Sequence, residues 1–314
     1  MPVPQQIYCC DRYGRLEILD PASLALSTVA APNILAPSPG PALFALGYDT
    51  AKDNIYMTGL PDGTSFSGIA GDPTGSNLYA LRLVLNGATY TPTEVAPPTR
   101  MVGPRPEWLV VDPTGGRLFV ADAQQGLSVW NTTATVTGFT QLGSNYRPGL
   151  GALQAQGVAF SSALNRIYVC CQSATGADQI AVYDGTNSAS MLQIAGSPFA
   201  FPSLALNSSR TSMLVVGSRL VVTTAAGVVA FNITATTIAL VAGSPFPTSA
   251  TAATQLGADP RGLAFDSINN RILVCNFGQN SVAALNSTSY AHMASSPFPT
   301  AQSPKSVIFN PTTA

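Results

Sequence analysis

Along the 314-residue chain one short pattern of apolar and polar positions recurs. An apolar residue, any residue, a bulky apolar residue and then Asp, Asn or Ser give LGYD (46–49), LVVD (109–112), VAFS (158–161), LALN (204–207), LAFD (263–266) and VIFN (307–310). Nine residues after the start of each of the first five comes a second apolar run: IYMTG, LFVAD, IYVCC, MLVVG and ILVCN. A third run ends in Asp or Asn: LEILD (16–20), LSVWN (127–131), IAVYD (180–184), VVAFN (228–232) and VAALN (282–286). Short turns and a fourth run follow, as in ATVTGF, ASMLQI and TIALVAG. Alternation, β-branched and aromatic content and Asx turns predict strands, and no sustained helical period competes with them.

The last copy, VIFN, ends before its second run, and a run of that type, IYCCD (7–11), stands at the other end of the chain. Pairing the two would cover an edge that neither terminus otherwise covers. The repeat therefore predicts an all-β fold, a single β-propeller over 1–314. Six four-stranded blades are expected, closed by pairing of the N- and C-terminal strands. Blade one would combine 303–314 with 1–40, and blades two to six would span 41–98, 99–148, 149–199, 200–248 and 249–302. Two stretches fit less cleanly. FSGIAGDPTGSNLY partly repeats the pattern, at Ile69–Asp72 and then Leu78, and reads as an extended loop or extra hairpin of blade two; a seventh, degenerate blade is the alternative. SMLVVGSRLVVTTAAGVVAFN is ambiguous in register.

The phrases PRGLAFDSINNRILVCNFGQNSVAALN and RPEWLVVDPTGGRLFVADAQQGLSVWN resemble the YVTN-type repeats of bacterial lactonase-like β-propellers. AGSPFA (195–200), AGSPFP (242–247) and SSPFP (295–299) at the blade junctions add to the resemblance. It covers most of the chain and implies the fold. It does not imply one activity, since such propellers serve as enzymes, surface proteins and assembly modules. For the enzymes it implies either a Glu/Asn/Asp metal site at the channel mouth or a His/Arg/Glu cluster.

Charged residues are only 9% of the chain and the net charge is −1, which gives no electrostatic case for nucleic acid. No apolar run reaches the ~18 residues of a spanning helix, and the start lacks the pattern of a signal peptide. Membrane insertion is thus not expected. The charge-poor surface, rich in Ala, Ser, Thr, Gly and Pro, points to an extracellular or virion surface over the cytoplasm.

Catalytic chemistry is thinly represented. The only histidine, His292, falls on an outer fourth strand, so acid–base catalysis would require a strongly shifted carboxylate. Asp49, Asp112 and Asp266 share one turn position, and Asp20, Asn131, Asp184, Asn232 and Asn286 share another, so turn capping accounts for them. The sequons at Asn131, Asn207, Asn232 and Asn286 lie on the same two positions. Asp72 has no partner at metal-binding spacing, and calcium loops, phosphate loops and GxSxG elbows are absent. Trp130 and Tyr183 share a third-strand position and read as aromatics stacked between blades. No catalytic residue, metal ligand or cofactor is therefore expected, except that an enzymatic alternative admits a divalent metal.

More informative is the position two residues before each first-strand motif: Phe44, Glu107, Gln156, Pro202, Arg261 and Lys305. In a propeller the first strand lines the channel, so these residues would form a varied ring at one rim. With Arg105 and Trp108 beside them, Glu107, Gln156, Arg261 and Lys305 are the candidate binding residues, for protein partners, a glycan or a small polar ligand. A solvated rim with one ion pair is the competing expectation. The function expected is a non-enzymatic interaction or structural module of a surface, secreted or virus-particle assembly. A lactonase-like hydrolase acting at the rim is the alternative.

Five cysteines lack CxxC spacing. Cys10, Cys170 and Cys275 align with Thr58 and Ala121 at a small-residue position. Cys171 aligns with Asp11, Asp122 and Asn276, which predicts a polar setting for it. Because Cys9–Cys10 and Cys170–Cys171 belong to opposite blades, a shared metal or crosslink between the pairs is excluded.

Overall fold

The computed structural model describes residues 6–11, 16–24, 43–59, 77–86, 89–100, 105–112, 114–133, 138–143, 154–173, 177–188, 190–201, 211–249, 258–300 and 303–311. The described residues form 22 strands in six antiparallel sheets, with one 3₁₀ turn at Phe277–Gln279.

Strands are numbered in chain order. The first sheet joins β1 (Gln6–Asp11) and β2 (Leu16–Leu19) to β22 (Pro304–Asn310), in the order β2-β1-β22. The second runs β3 (Leu43–Asp49), β4 (Asn54–Gly59), β5 (Asn77–Asn86) and β6 (Thr89–Arg100). The third holds β7 (Pro106–Asp112), β8 (Arg117–Asp122) and β9 (Gly126–Asn131). The fourth holds β10 (Gln154–Ser161), β11 (Arg166–Gln172), β12 (Gln179–Asp184) and β13 (Phe199–Ala200). The fifth holds β14 (Met213–Val216), β15 (Arg219–Thr224), β16 (Gly227–Ile233) and β17 (Ile238–Leu240). The sixth holds β18 (Pro260–Asp266), β19 (Arg271–Asn276), β20 (Ser281–Asn286) and β21 (Phe298–Pro299).

First strands of successive sheets are neighbours: β3 lies by β7, β7 by β10, β10 by β14, β14 by β18, β18 by β22, and β22 by β3. The N-terminal strand pairs with the C-terminal one, Ile7 opposite Phe309 and Cys9 opposite Val307. Both faces of each second strand are buried, so it reads as a near-continuous apolar run. Alternate residues feed separate cores on either side: Tyr8 and Cys10 pack with Leu46 and Met57 of the second sheet, whereas Ile7 and Cys9 pack with Leu273 and Cys275 of the sixth.

The Asx turns behave as their chemistry predicts. Asp49, Asp112 and Asp266 accept backbone N–H bonds from the residues that follow them, and so do Asp20, Asn131, Asp184 and Asn286. Asp112 and Asp266 also hold the Arg that opens the next strand, Arg117 and Arg271, at 2.6 and 2.8 Å.

The recurring SPF segments have a local explanation. Ser197, Ser244 and Ser296 each accept through Oγ from the N–H of a third-strand residue, Val182, Ala230 and Ala284, at 2.8, 3.1 and 2.9 Å. Each is followed by a cis Ser–Pro bond and preceded by a residue of positive φ, Gly196, Gly243 or Ser295. The segment thus straps the outer edge of its sheet to the third strand.

Several expectations need correction. In the fifth sheet the first strand is Met213–Val216, not the second, and the second is Arg219–Thr224. A two-residue turn, Gly217–Ser218, joins them where the second, third, fourth and sixth sheets use four, so the nine-residue spacing fails there. LALN (204–207) and Pro202 lie outside the described residues. Leu78 starts no new repeat: it pairs with Thr58, in the third strand of the second sheet, while Ile69–Asp72 lies outside the described residues. The first and third sheets show three strands each among the described residues. In the third, a Trp130–Gln141 bridge stands where a fourth strand was expected. Cys171 is not in a polar setting; it is fully buried in an apolar core and its thiol pKa is pushed up to about 12 by burial.

Candidate functional site

The ring position inferred from the repeat has a structural identity. In five of the six sheets the ladder between first and second strand skips one residue at that position, a β-bulge that sets two residues against one. Phe44 is the unpaired residue between Leu43 and Ala45, Glu107 between Pro106 and Trp108, and Gln156 between Ala155 and Gly157. Lys305 is the extra residue opposite the Cys10–Asp11 step, and Arg261 falls within the shift between Pro260 and Leu263. The corrected register puts Thr211 at this position in the fifth sheet. A bulge re-aims a side chain and breaks the ladder locally, which suits residues freed from core duty.

Four of the ring positions are buried, not solvated as the competing expectation had it, and Arg261 is partly buried. Glu107, Gln156, Thr211 and Lys305 are 3%, 0%, 0% and 6% exposed. Arg105 Nη2 donates to Glu107 Oε1 at 2.9 Å, and the Arg105 N–H donates to Asp122 Oδ2 at 3.0 Å. Asp122, which also accepts from the N–H groups of Gln124 and Gln125, has its pKa raised because burial outweighs those bonds. Arg261 donates through Nε and Nη2 to Asp259 at 3.0 and 2.6 Å, its guanidinium 3.5 Å from the Phe277 ring centroid. Gln156 Nε2 reaches Gln154 and Gln172 weakly, at 3.4 and 3.3 Å. Trp108 is a core residue, packed with Leu109, Phe119 and Ala121.

Polar capacity is left over at this end of the strands. Gln156 Oε1, Thr211 Oγ1, Ser212 Oγ and Asn276 Oδ1 are buried without a hydrogen-bond partner among the described residues. Sequence reasoning missed Thr211, Ser212 and Asn276. Asn276 was visible at its position beside Cys275, and the two hydroxyls were hidden by the misplaced fifth-sheet register.

His292 sits apart from this ring, in a bridge to Leu285 at the outer part of the sixth sheet. Its Nδ1 lies 3.0 Å from Ser296 Oγ, and burial lowers its pKa. Among the described residues no group of three or more His, Cys, Asp or Glu is arranged to hold a metal. None of the described helices is long and apolar enough to cross a membrane.

No family model matches the chain, and no curated protein does. Its fold is nevertheless shared with solved β-propellers over nearly the whole length. A chain of a nidogen/laminin complex aligns with TM-score 0.63 at 14% identity, covering 99% of both chains. The periplasmic gluconolactonase PpgL of Pseudomonas aeruginosa aligns with TM-score 0.58 at 12% identity, covering 98% of this chain and 99% of its own. A putative 6-phosphogluconolactonase of Bacteroides uniformis aligns with TM-score 0.55 at 12% identity, over 98% and 100%. The likeness to lactonase-like β-propellers is therefore established as one of fold.

Proposed function

We propose that the chain is a single six-bladed propeller, closed by pairing of β22 with β1. On this reading it is a non-enzymatic interaction or structural module of a surface, secreted or virus-particle assembly. The bulge ring would receive polar groups of a protein partner or a small polar ligand. One observation carries this reading: Glu107 is neutralised by Arg105 and Arg261 by Asp259, each beside its own sheet. Such pairs hold their charged groups in fixed hydrogen bonds, whereas acid–base catalysis requires a group free to exchange its proton. A chain of a nidogen/laminin complex is among the solved structures that share this fold.

The second reading is a lactonase-like hydrolase at the same ring, favoured by the full-length likeness to two proteins with lactonase names. One assay separates the readings. Purified protein is incubated with a panel of γ- and δ-lactones, with and without divalent cations. Hydrolysis at the buffer rate is expected; turnover that disappears in Glu107→Gln or Arg261→Ala would establish the hydrolase instead.

A further inference from the structure

The cysteines that the repeat reduces to packing residues include one pair it did not anticipate. Cys9 of β1 and Cys275 of β19 face each other with 3.8 Å between their sulfurs, 266 residues apart in sequence. Both thiols are free and buried, in one apolar core between the first and sixth sheets. The register shows how particular this meeting is. Cys9 holds the fourth position of its second strand, where the other five sheets carry Met57, Val120, Val169, Val222 and Val274. Cys275 holds the fifth position, shared with Cys10, Thr58, Ala121, Cys170 and Thr223. The fifth position of one sheet shares a core with the fourth of the next, as Cys10 with Met57, Ala121 with Val169, Cys170 with Val222 and Cys275 with Cys9. By register the two remaining junctions would match Thr58 with Val120 and Thr223 with Val274. Cysteine meets cysteine only where the first sheet, which holds both ends of the chain, abuts the sixth.

We propose that Cys9 and Cys275 are a disulfide site, a covalent latch between the first and sixth sheets that forms under oxidising conditions. Bond formation draws the sulfurs together by about 1.8 Å, to the usual ~2.05 Å. The oxidant is a small-molecule disulfide such as oxidised glutathione. One protein thiolate attacks it, forming a mixed disulfide and releasing one thiol. The second protein thiolate then displaces the remaining half as a second thiol. The two protein S–H bonds become one S–S bond, and both protons leave on the reduced oxidant. The remaining cysteines are not partners: Cys10 lies on the opposite face of β1, and Cys170 and Cys171 lie in the cores of other sheets.

Burial dictates when the latch is set. The Cys9 thiol, hydrogen-bonded to Cys275 and desolvated, is held well above its ordinary pKa, so Cys9 is a poor nucleophile in the assembled junction, and burial closes both sulfurs off from an oxidant. Exchange therefore occurs while the junction is open, during folding or transient opening, and the closed bond is shielded from reductants. This inference rests on the junction geometry and is independent of what the bulge ring binds.

The full chain is refolded from urea in a glutathione redox buffer and, in parallel, under a phosphine reductant. Free thiols are then alkylated and peptides mapped without reduction. A Cys9–Cys275 peptide lighter by two hydrogens is expected, with Cys10, Cys170 and Cys171 alkylated. The oxidised protein should melt roughly 5 °C higher than the reduced one, the scale expected for closing so long a loop in a chain of this size. Cys9→Val installs the residue four other sheets carry there and should abolish both the linked peptide and the melting difference; Cys10→Ser should abolish neither. Five alkylated thiols after oxidative refolding, or any other linked pair, would overturn the proposal. If Cys9→Val fails to fold, the wild-type peptide map with Cys275→Ala decides the matter.

Discussion

At the scale of single residues, close approach between first strands explains the small side chain at several junctions. A Cβ on Gly262 would lie 2.6 Å from Ser306 Cα and 2.8 Å from the Lys305 carbonyl, both backbone atoms of the neighbouring sheet. They cannot yield without moving β18 from β22. Gly262→Ala is therefore expected to destabilise by about 1–3 kcal/mol, read as a lower urea midpoint with unchanged slope. The same register position holds Ala45 in the second sheet, so the cost belongs to this junction and not to the bulge as such. At this scale the ring was legible because a position that varies within a strict repeat stands out in the sequence. Its burial was not legible: the Arg105–Glu107 pair joins residues two apart through side-chain conformation, and Thr211 was hidden by the fifth-sheet register. Nor was the Cys9–Cys275 meeting, which depends on which face of each second strand addresses which neighbour.

At the scale of the strand, the sequence specified second and third strands well, because both faces are buried and the apolar runs are long. It failed where turn length changed. The two-residue turn of the fifth sheet shortens the hairpin, and LALN imitates the displaced strand. Arg219, aligned with Arg117, Arg166 and Arg271 at the start of a second strand, was the available sign. Tyrosines within these strands make a pH test. Burial pushes the hydroxyls of Tyr168 on β11 and Tyr183 on β12 up to about 12. An unfolded chain releases these protons near pH 10, so between about 10 and 12 the folded state binds more protons than the unfolded one. Stability should thus be intact below about pH 10 and fall as pH rises from there, measured by urea unfolding at about pH 8 and about pH 11. Because the Tyr168 hydroxyl has no hydrogen-bond partner among the described residues, Tyr168→Phe should change little at pH 8 and reduce the alkaline loss.

For the whole molecule, the decisive contact is between the chain's two ends. β22 supplies the first strand of the first sheet, pairs with β1 along its length, and borders both β18 and β3. Its residues from Pro304 to Asn310 are all buried. Removing it would strip β1 of one ladder and open apolar surface on Val307 and Phe309's partners, Ile7, Leu19 and Leu273. If the proposed ring is closed here, this junction bears on every other, since each sheet then has a neighbour on both sides. A variant ending at residue 302 is therefore expected to lose its single sharp thermal transition and melt broadly at lower temperature. The missing strand acts through main-chain pairing and buried side chains, with no covalent role. A synthetic peptide of residues 303–314 added in trans should thus restore the sharp transition in a concentration-dependent way. The same peptide with Val307 and Phe309 replaced by Asp should not. A truncated protein that melts as sharply as the full chain without peptide would show that the sheets do not depend on this junction, and closure by the termini would have to be abandoned.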